Sequence, residues 1–248
     1  MHKKYVFVLL VVPLIVAIFI SGANAIPWYE QNPAIKPGIP DFDWPYPRDN
    51  VGCGHVAAAN VLWYWATHGF SNLVDGKPEG NSFPKLMKDL KNKRYLGADQ
   101  WVWNDEMYEG IKNWFRDKNV ELSIHAEGLY GKVPTWDFYQ QQLRKCEVPL
   151  VLIVNDKKVG HWLTGVGWKD NNKFMFHDPN EEGIGEEDYA WTKGDDGYMH
   201  ITYRIKDKDY DMRVVTMIAV TAVPEPTTLF LIGSGLAGIF SLRLFKKA

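Results

Sequence analysis

The stretch Asn50-Val51-Gly52-Cys53-Gly54-His55-Val56-Ala57-Ala58-Ala59-Asn60, continuing to Gly69, constrains this chain more than any other. It sets a cysteine between two glycines at the start of a run of good helix formers. Val56, Ala57, Asn60, Val61, Tyr64 and Trp65 recur at helical spacing, which predicts a central buried helix with one apolar face and Gly69 as its C-cap. The sulfur of Cys53 then lies at a helix N-terminus, where partial positive charge favours thiolate over thiol. The flanking glycines leave room for a substrate backbone to approach. The stretch alone permits two readings: a mounted nucleophile, or a small buried residue that is inert or half of a disulfide with Cys146, the second of the two cysteines.

The two ends of the 248-residue chain read as address labels rather than fold. Residues 1–25 run from Lys3 and Lys4 through an apolar stretch to Ala23-Asn24-Ala25, the layout of a secretory signal peptide. At the other end, Pro224-Glu225-Pro226 precedes an uncharged stretch from Thr227 to Leu242, then Arg243, Lys246 and Lys247. As a helix that stretch is about 24 Å long, short for a bilayer core of about 30 Å, so spanning needs thinning or snorkelling of the basic end. These parts resemble the PEP-CTERM sorting signal of exported bacterial proteins, on Pro224-Glu225-Pro226, the Gly233 to Gly238 run and the basic tail. The resemblance implies signal peptidase and exosortase as processing partners. It also implies transient residence in the inner membrane through 227–245, then delivery to the cell surface or extracellular matrix.

Residues 26–222 remain for one domain with a substantial core. The chain carries 28 basic and 30 acidic residues, and setting aside five basic and one acidic residue at the ends leaves 23 against 29. An acidic domain without a basic patch excludes nucleic acid as the expected partner. Residues 26–49 hold six prolines and read as an extended lead-in. Helices are expected over Phe83–Lys93, Asp105–Lys118 and Thr135–Lys145, the last capped by Thr135. Strands are expected at Val120–Ile124, Leu150–Val154, 160–168, 173–178 and Met212–Ala222. Helices first and mostly antiparallel strands after give an α+β domain. Trp101 and Trp103 fall in a loop and read as core or rim packing, with a peptide or glycan groove as the alternative. His55, His68, His125, His177 and His200 show no metal-ligand spacing.

The second half of the chemistry lies in Gly160-His161-Trp162, which opens a strand, and in Phe176-His177-Asp178-Pro179, which closes the next. A loop at 168–171 sets His161 directly opposite Asp178, and a tighter Asn171-Asn172 turn separates them by about 13 Å. A thiolate needs a partner that holds the proton, and an imidazole needs a third group to fix its orientation. Cys53, His161 and Asp178 are those three types, and the first register is the one this chemistry requires.

The Cys53-Gly54 helix opening, the helix-strand segment Thr135 to Val154, Gly160-His161-Trp162 and Asp178-Pro179 resemble, in that order, the papain-like cysteine peptidases. Within them they resemble the branch related to bacteriocin-processing (double-glycine leader) peptidases. It covers roughly residues 46–182 and implies a papain-like fold, with the nucleophile helix packed on a mostly antiparallel sheet. It further implies Cys53 as nucleophile, His161 as general base and acid, Asp178 as the orienting residue, a peptide or protein substrate, and neither metal nor organic cofactor. Two positions depart from the family. Pro47 stands where relatives carry a glutamine that holds the oxyanion, leaving Asn50 as the nearest upstream amide, and His55 stands where proline is common. The expectation is an exported cysteine peptidase-like thiol hydrolase using Cys-His-Asp acyl-enzyme catalysis. The alternatives are an inactive papain-like surface or matrix binding protein with Cys53 bonded to Cys146, and a transglutaminase or acyltransferase with the same triad.

Overall fold

A computed structural model describes residues 52–75, 82–99, 101–170, 172–179, 187–205 and 208–223. Residues 1–25, expected to be a signal peptide, Pro47, Asn50, Pro224-Glu225-Pro226 and the 227–245 stretch lie outside the described residues. Among the described residues, four α-helices come first or early: α1 (Cys53–Thr67), α2 (Ser82–Leu90), α3 (Asn104–Asp117) and α4 (Trp136–Arg144). Seven strands follow or interleave: β1 (Glu121–Glu127), β2 (Val148–Val154), β3 (Gly160–Lys169), β4 (Lys173–His177), β5 (Glu187–Lys193), β6 (Met199–Ile205) and β7 (Lys208–Val223). Among the described residues no helix is long and apolar enough to cross a membrane.

The α+β expectation holds, but the sheet departs from the arrangement expected. All pairings are antiparallel, in the order β1-β7-β2-β3-β4-β5-β6, and β6 pairs back onto β7 to close a barrel. Closure follows from the length of β7, 16 residues. Its first half pairs with β6, its second half with β1, and its middle with β2 on the other edge. Gly128, at the end of β1 with φ +89°, marks the change of partner: a Cβ there would stand 2.0 Å from the Val215 carbonyl oxygen. An even ring of strands closes with every neighbour antiparallel, which the six from β7 through β2 to β6 do. Strands β5 and β6, in a region where sequence patterning assigned none, supply the missing part of the ring.

Side chains alternate between the two faces of each strand. Leu150, Leu152, Trp162, Val166, Met175, Ile218 and Val220 join the core formed with α1, α2 and α3. The opposite face carries rings: Trp136 and Tyr139 from α4 meet Phe174, Phe176 follows, and Tyr189 and Tyr203 continue the chain of contacts to His161. Helix α1 is more enclosed than a one-faced amphipathic helix, since every residue from Cys53 to Ala66 is buried. Ala57, Ala58 and Ala59 are fully buried, and small side chains let the helix backbone lie close to β3. His68 ends the helix and Gly69, at φ +103°, supplies the left-handed residue just beyond it.

Candidate functional site

Cys53 is the first residue of α1, after Gly52 in extended conformation. The helix start is tied down by His55, the residue that replaces the family's proline. The Gly52 N–H donates to His55 Nδ1 at 3.4 Å, and His55 Nε2–H donates to the Gly97 carbonyl at 2.8 Å. That pattern fits a neutral imidazole with its proton on Nε2, and burial holds the His55 pKa below its ordinary value of 6.5. Gly54 permits the close approach that follows: a Cβ there would lie 2.9 Å from Val102 Cβ and 3.1 Å from Trp162 Cδ1.

Strand β3 meets the helix start at that point. The Trp162 backbone N–H donates to Cys53 Sγ at 3.4 Å, and its indole N–H donates to the Val102 carbonyl at 2.7 Å. His161, one residue earlier, is buried and donates through Nε2–H to Asp178 Oδ1 at 2.7 Å. Its other ring nitrogen remains for the sulfur, and Cys53 and His161 share a side-chain hydrogen bond. Asp178 is buried as well, and its Oδ2 accepts from the Tyr203 hydroxyl at 2.6 Å. The structure thus brings Cys53, His161 and Asp178 together. Tyr203, beside them, was not singled out from the sequence.

The strand register that achieves this is neither of those expected. Thr164 pairs with His177 and Gly165 with Phe176, and a bulge between Gly165 and Gly167 shifts the rest of the hairpin to Trp168–Phe174. Continued outward, the register sets Asp178 opposite Leu163 rather than His161. The two side chains therefore share a face on a diagonal, a separation of about 7 Å between Cβ atoms that these side chains bridge. Tyr139 holds the bulge, its hydroxyl directed at the Gly167 and Met175 carbonyls, with Gly165 leaving space for the ring.

The electrostatics follow from burial and charge pairing. Burial alone pushes the Cys53 thiol up, but the His161 charge and hydrogen bonds from His161 and Trp162 outweigh it, leaving the pKa below the ordinary 9.0. Burial alone pushes His161 down, yet Cys53 and Asp178 together raise it above 6.5. Both shifts favour thiolate facing imidazolium. Beside the sulfur lies a small apolar groove of about 30 Å³, open at its mouth, walled by Trp101, Trp103, Leu152, Val154 and Trp162. The two loop tryptophans are not core residues: they are 54% and 57% exposed, while Val102 between them is buried. Each alternates outward because Trp162 pins the intervening carbonyl.

Cys53 and Cys146 are both thiols, and no disulfide joins them. Cys146 precedes the Val148 end of β2, whereas Cys53 meets Trp162, the partner of Leu152, four residues or about 13 Å further along that strand. That exceeds the span of about 7 Å a disulfide bridges between Cα atoms, which removes the oxidised form of the binding-protein alternative.

The sequence model of the Peptidase_C39 like family matches residues 23–205, most of the chain. The chain belongs to that family. As a Peptidase_C39-like protein it is cysteine peptidase-like, and the family fits the papain-like fold with the closed barrel described above. A PEP-CTERM protein-sorting motif matches residues 222–247, which indicates export and processing at the membrane on the way to the surface or extracellular space. No curated protein matches the chain.

Proposed function

We propose that this Peptidase_C39-like domain is an exported thiol hydrolase that cleaves peptide bonds with Cys53, His161 and Asp178. The observation that carries the reading is one imidazole held between two groups: Asp178 at 2.7 Å on Nε2 and the Cys53 sulfur on the other side. Membership of the Peptidase_C39-like family supports a peptide substrate, and the exposed Trp101 and Trp103 offer apolar surface for it beside the sulfur.

In this reading the Cys53 thiolate attacks the scissile carbonyl carbon, and the new oxyanion faces the start of α1. The Cys53 backbone N–H is one donor for it, and Asn50 is the proposed second. The His161 imidazolium then gives its proton to the leaving amine, and the C–N bond breaks to leave a thioester. His161, now neutral, takes a proton from water, whose oxygen attacks the thioester and releases the acid and the thiolate. Asp178 keeps the imidazole oriented and balances its charge. An amine in place of water would make the same domain an acyltransferase or transglutaminase, and product mass spectrometry with peptide and amine acceptors separates these outcomes. Iodoacetamide labelling of the secreted protein near pH 6 tests the pair directly: Cys53 labels fast in the wild type and slowly in His161→Ala. A sluggish thiol indifferent to that change ends the proposal.

A further inference from the structure

We infer that Tyr203 is a positioning residue for the Cys53–His161 pair and acts on it through Asp178. The inference rests on the reading of the three residues given above and adds a fourth, from a strand in which none was sought. In the ring β7-β2-β3-β4-β5-β6, strands β3 and β6 stand opposite one another. Tyr203 faces the His161 ring of β3 and reaches past β5 to Asp178, just beyond the end of β4. Its hydroxyl donates to Asp178 Oδ2 at 2.6 Å while His161 Nε2–H donates to Oδ1 at 2.7 Å, and the two rings lie 5.2 Å apart between centroids. Both carboxylate oxygens are thus engaged from different sides, and a turn of the carboxylate about its own axis would break one bond or both.

The chemistry of this arrangement is specific. Asp178 and Tyr203 are 2% and 1% exposed, so water cannot take over the hydroxyl's place. A buried carboxylate that loses a donor holds its charge less well and takes up a proton at higher pH. Once protonated it no longer balances the His161 imidazolium, and Cys53 reverts from thiolate to thiol. The titratable groups around Asp178 are His161 from β3, Cys53 from α1, Tyr203 from β6 with Tyr189 of β5 against it, and His177 next in the chain. Of these, Tyr203 is the one that donates to Oδ2 without changing charge during the reaction.

The test is the pH dependence of iodoacetamide labelling at Cys53 in the full secreted protein, for wild type, Tyr203→Phe, Asp178→Asn and the double variant. Tyr203→Phe, which keeps the ring, moves the acid limb of the curve upward by about one pH unit. In the Asp178→Asn background the same change moves it no further, because the group Tyr203 acts on is gone. 3-Fluorotyrosine placed at position 203, a stronger donor of similar size, moves the limb downward and serves if the phenylalanine variant does not fold. A Tyr203→Phe curve that superimposes on wild type overturns the inference, as does an equal shift with and without Asp178 or an unmoved limb with fluorotyrosine. A wild-type curve that does not depend on His161 is a different result: it overturns the Cys53–His161–Asp178 reading itself.

Discussion

His161 meets Asp178 at 2.7 Å, and His200 meets Asp211 at 2.9 Å and Asp196 at 3.0 Å, so by distance alone the two histidines are alike. They differ in what surrounds them. The His161 and Asp178 side chains are 7% and 1% exposed, whereas Asp196 and Asp211 are 36% and 70% exposed, with Arg213 also reaching Asp196. Both histidines have raised pKa values against the opposing effect of burial. At His200 two carboxylates do the raising and the charge faces water. At His161 a thiol shares the work, and the histidine's gain is the cysteine's loss of a proton. A short histidine–carboxylate contact is therefore not a site by itself. The buried sulfur and the apolar groove are what single out His161 as the candidate.

The largest expected difference between the two is in thiol reactivity. His161→Ala slows labelling of Cys53 near pH 6 by about 100-fold, since each unit by which the thiol pKa rises removes tenfold of thiolate. His200→Ala leaves the rate alone, and equal effects would break the comparison. Next, Asp178→Asn lowers the same rate by about tenfold and Asp211→Asn does not, with mass spectrometry of the labelled cysteine as the measurement. In the wild type the rate rises through a Cys53 pKa below 9.0 and levels off, while peptidase turnover falls again as pH climbs through the raised His161 value.

Smaller effects concern fit and stability. Gly54→Ala forces Val102 and Trp162 aside and costs about 1–3 kcal/mol in urea unfolding, with slower labelling because the sulfur shifts from His161. Unchanged labelling would mean that the close approach of helix and strand is not what presents the thiol. His200→Ala is the smallest, about 0.5 kcal/mol, as expected of a solvent-screened cluster. Its sign is fixed by the raised folded pKa. The stabilisation is fully present below the unfolded value of about 6.5 and disappears as pH rises through the folded one, so thermal melts of the two proteins converge at alkaline pH.

Much of the helical half was legible because its signals are local. A cysteine before a helix-forming run, Thr135 accepting from the Phe138 N–H, and the apolar run of β2 each declare themselves within a few residues. The barrel half was legible in its residue types but not in its geometry. His161 and Asp178 were chosen on chemistry, and the bulge at Val166 that sets their diagonal depends on Tyr139, a distant side chain on α4. Tyr203 had a signal, the alternation of buried Met199, Ile201 and Tyr203 with Arg204 and Thr202 exposed between and after them. Charged flanks and the partnership with Asp178 across the barrel kept it from being read. His55 was visible as a departure, and only the fold shows it as the clamp on the helix start.

Because the barrel closes through its last strand, the charge state of Cys53 is a property of the finished chain. Trp162, whose N–H meets the sulfur, lies 109 positions beyond it, and the ring that holds His161 in place is sealed only by β7, ending at Val223. An incomplete or unfolded polypeptide carries an ordinary thiol. On the proposed reading, timing follows from topology: a chain exported in extended form would keep an ordinary thiol until the whole domain has folded.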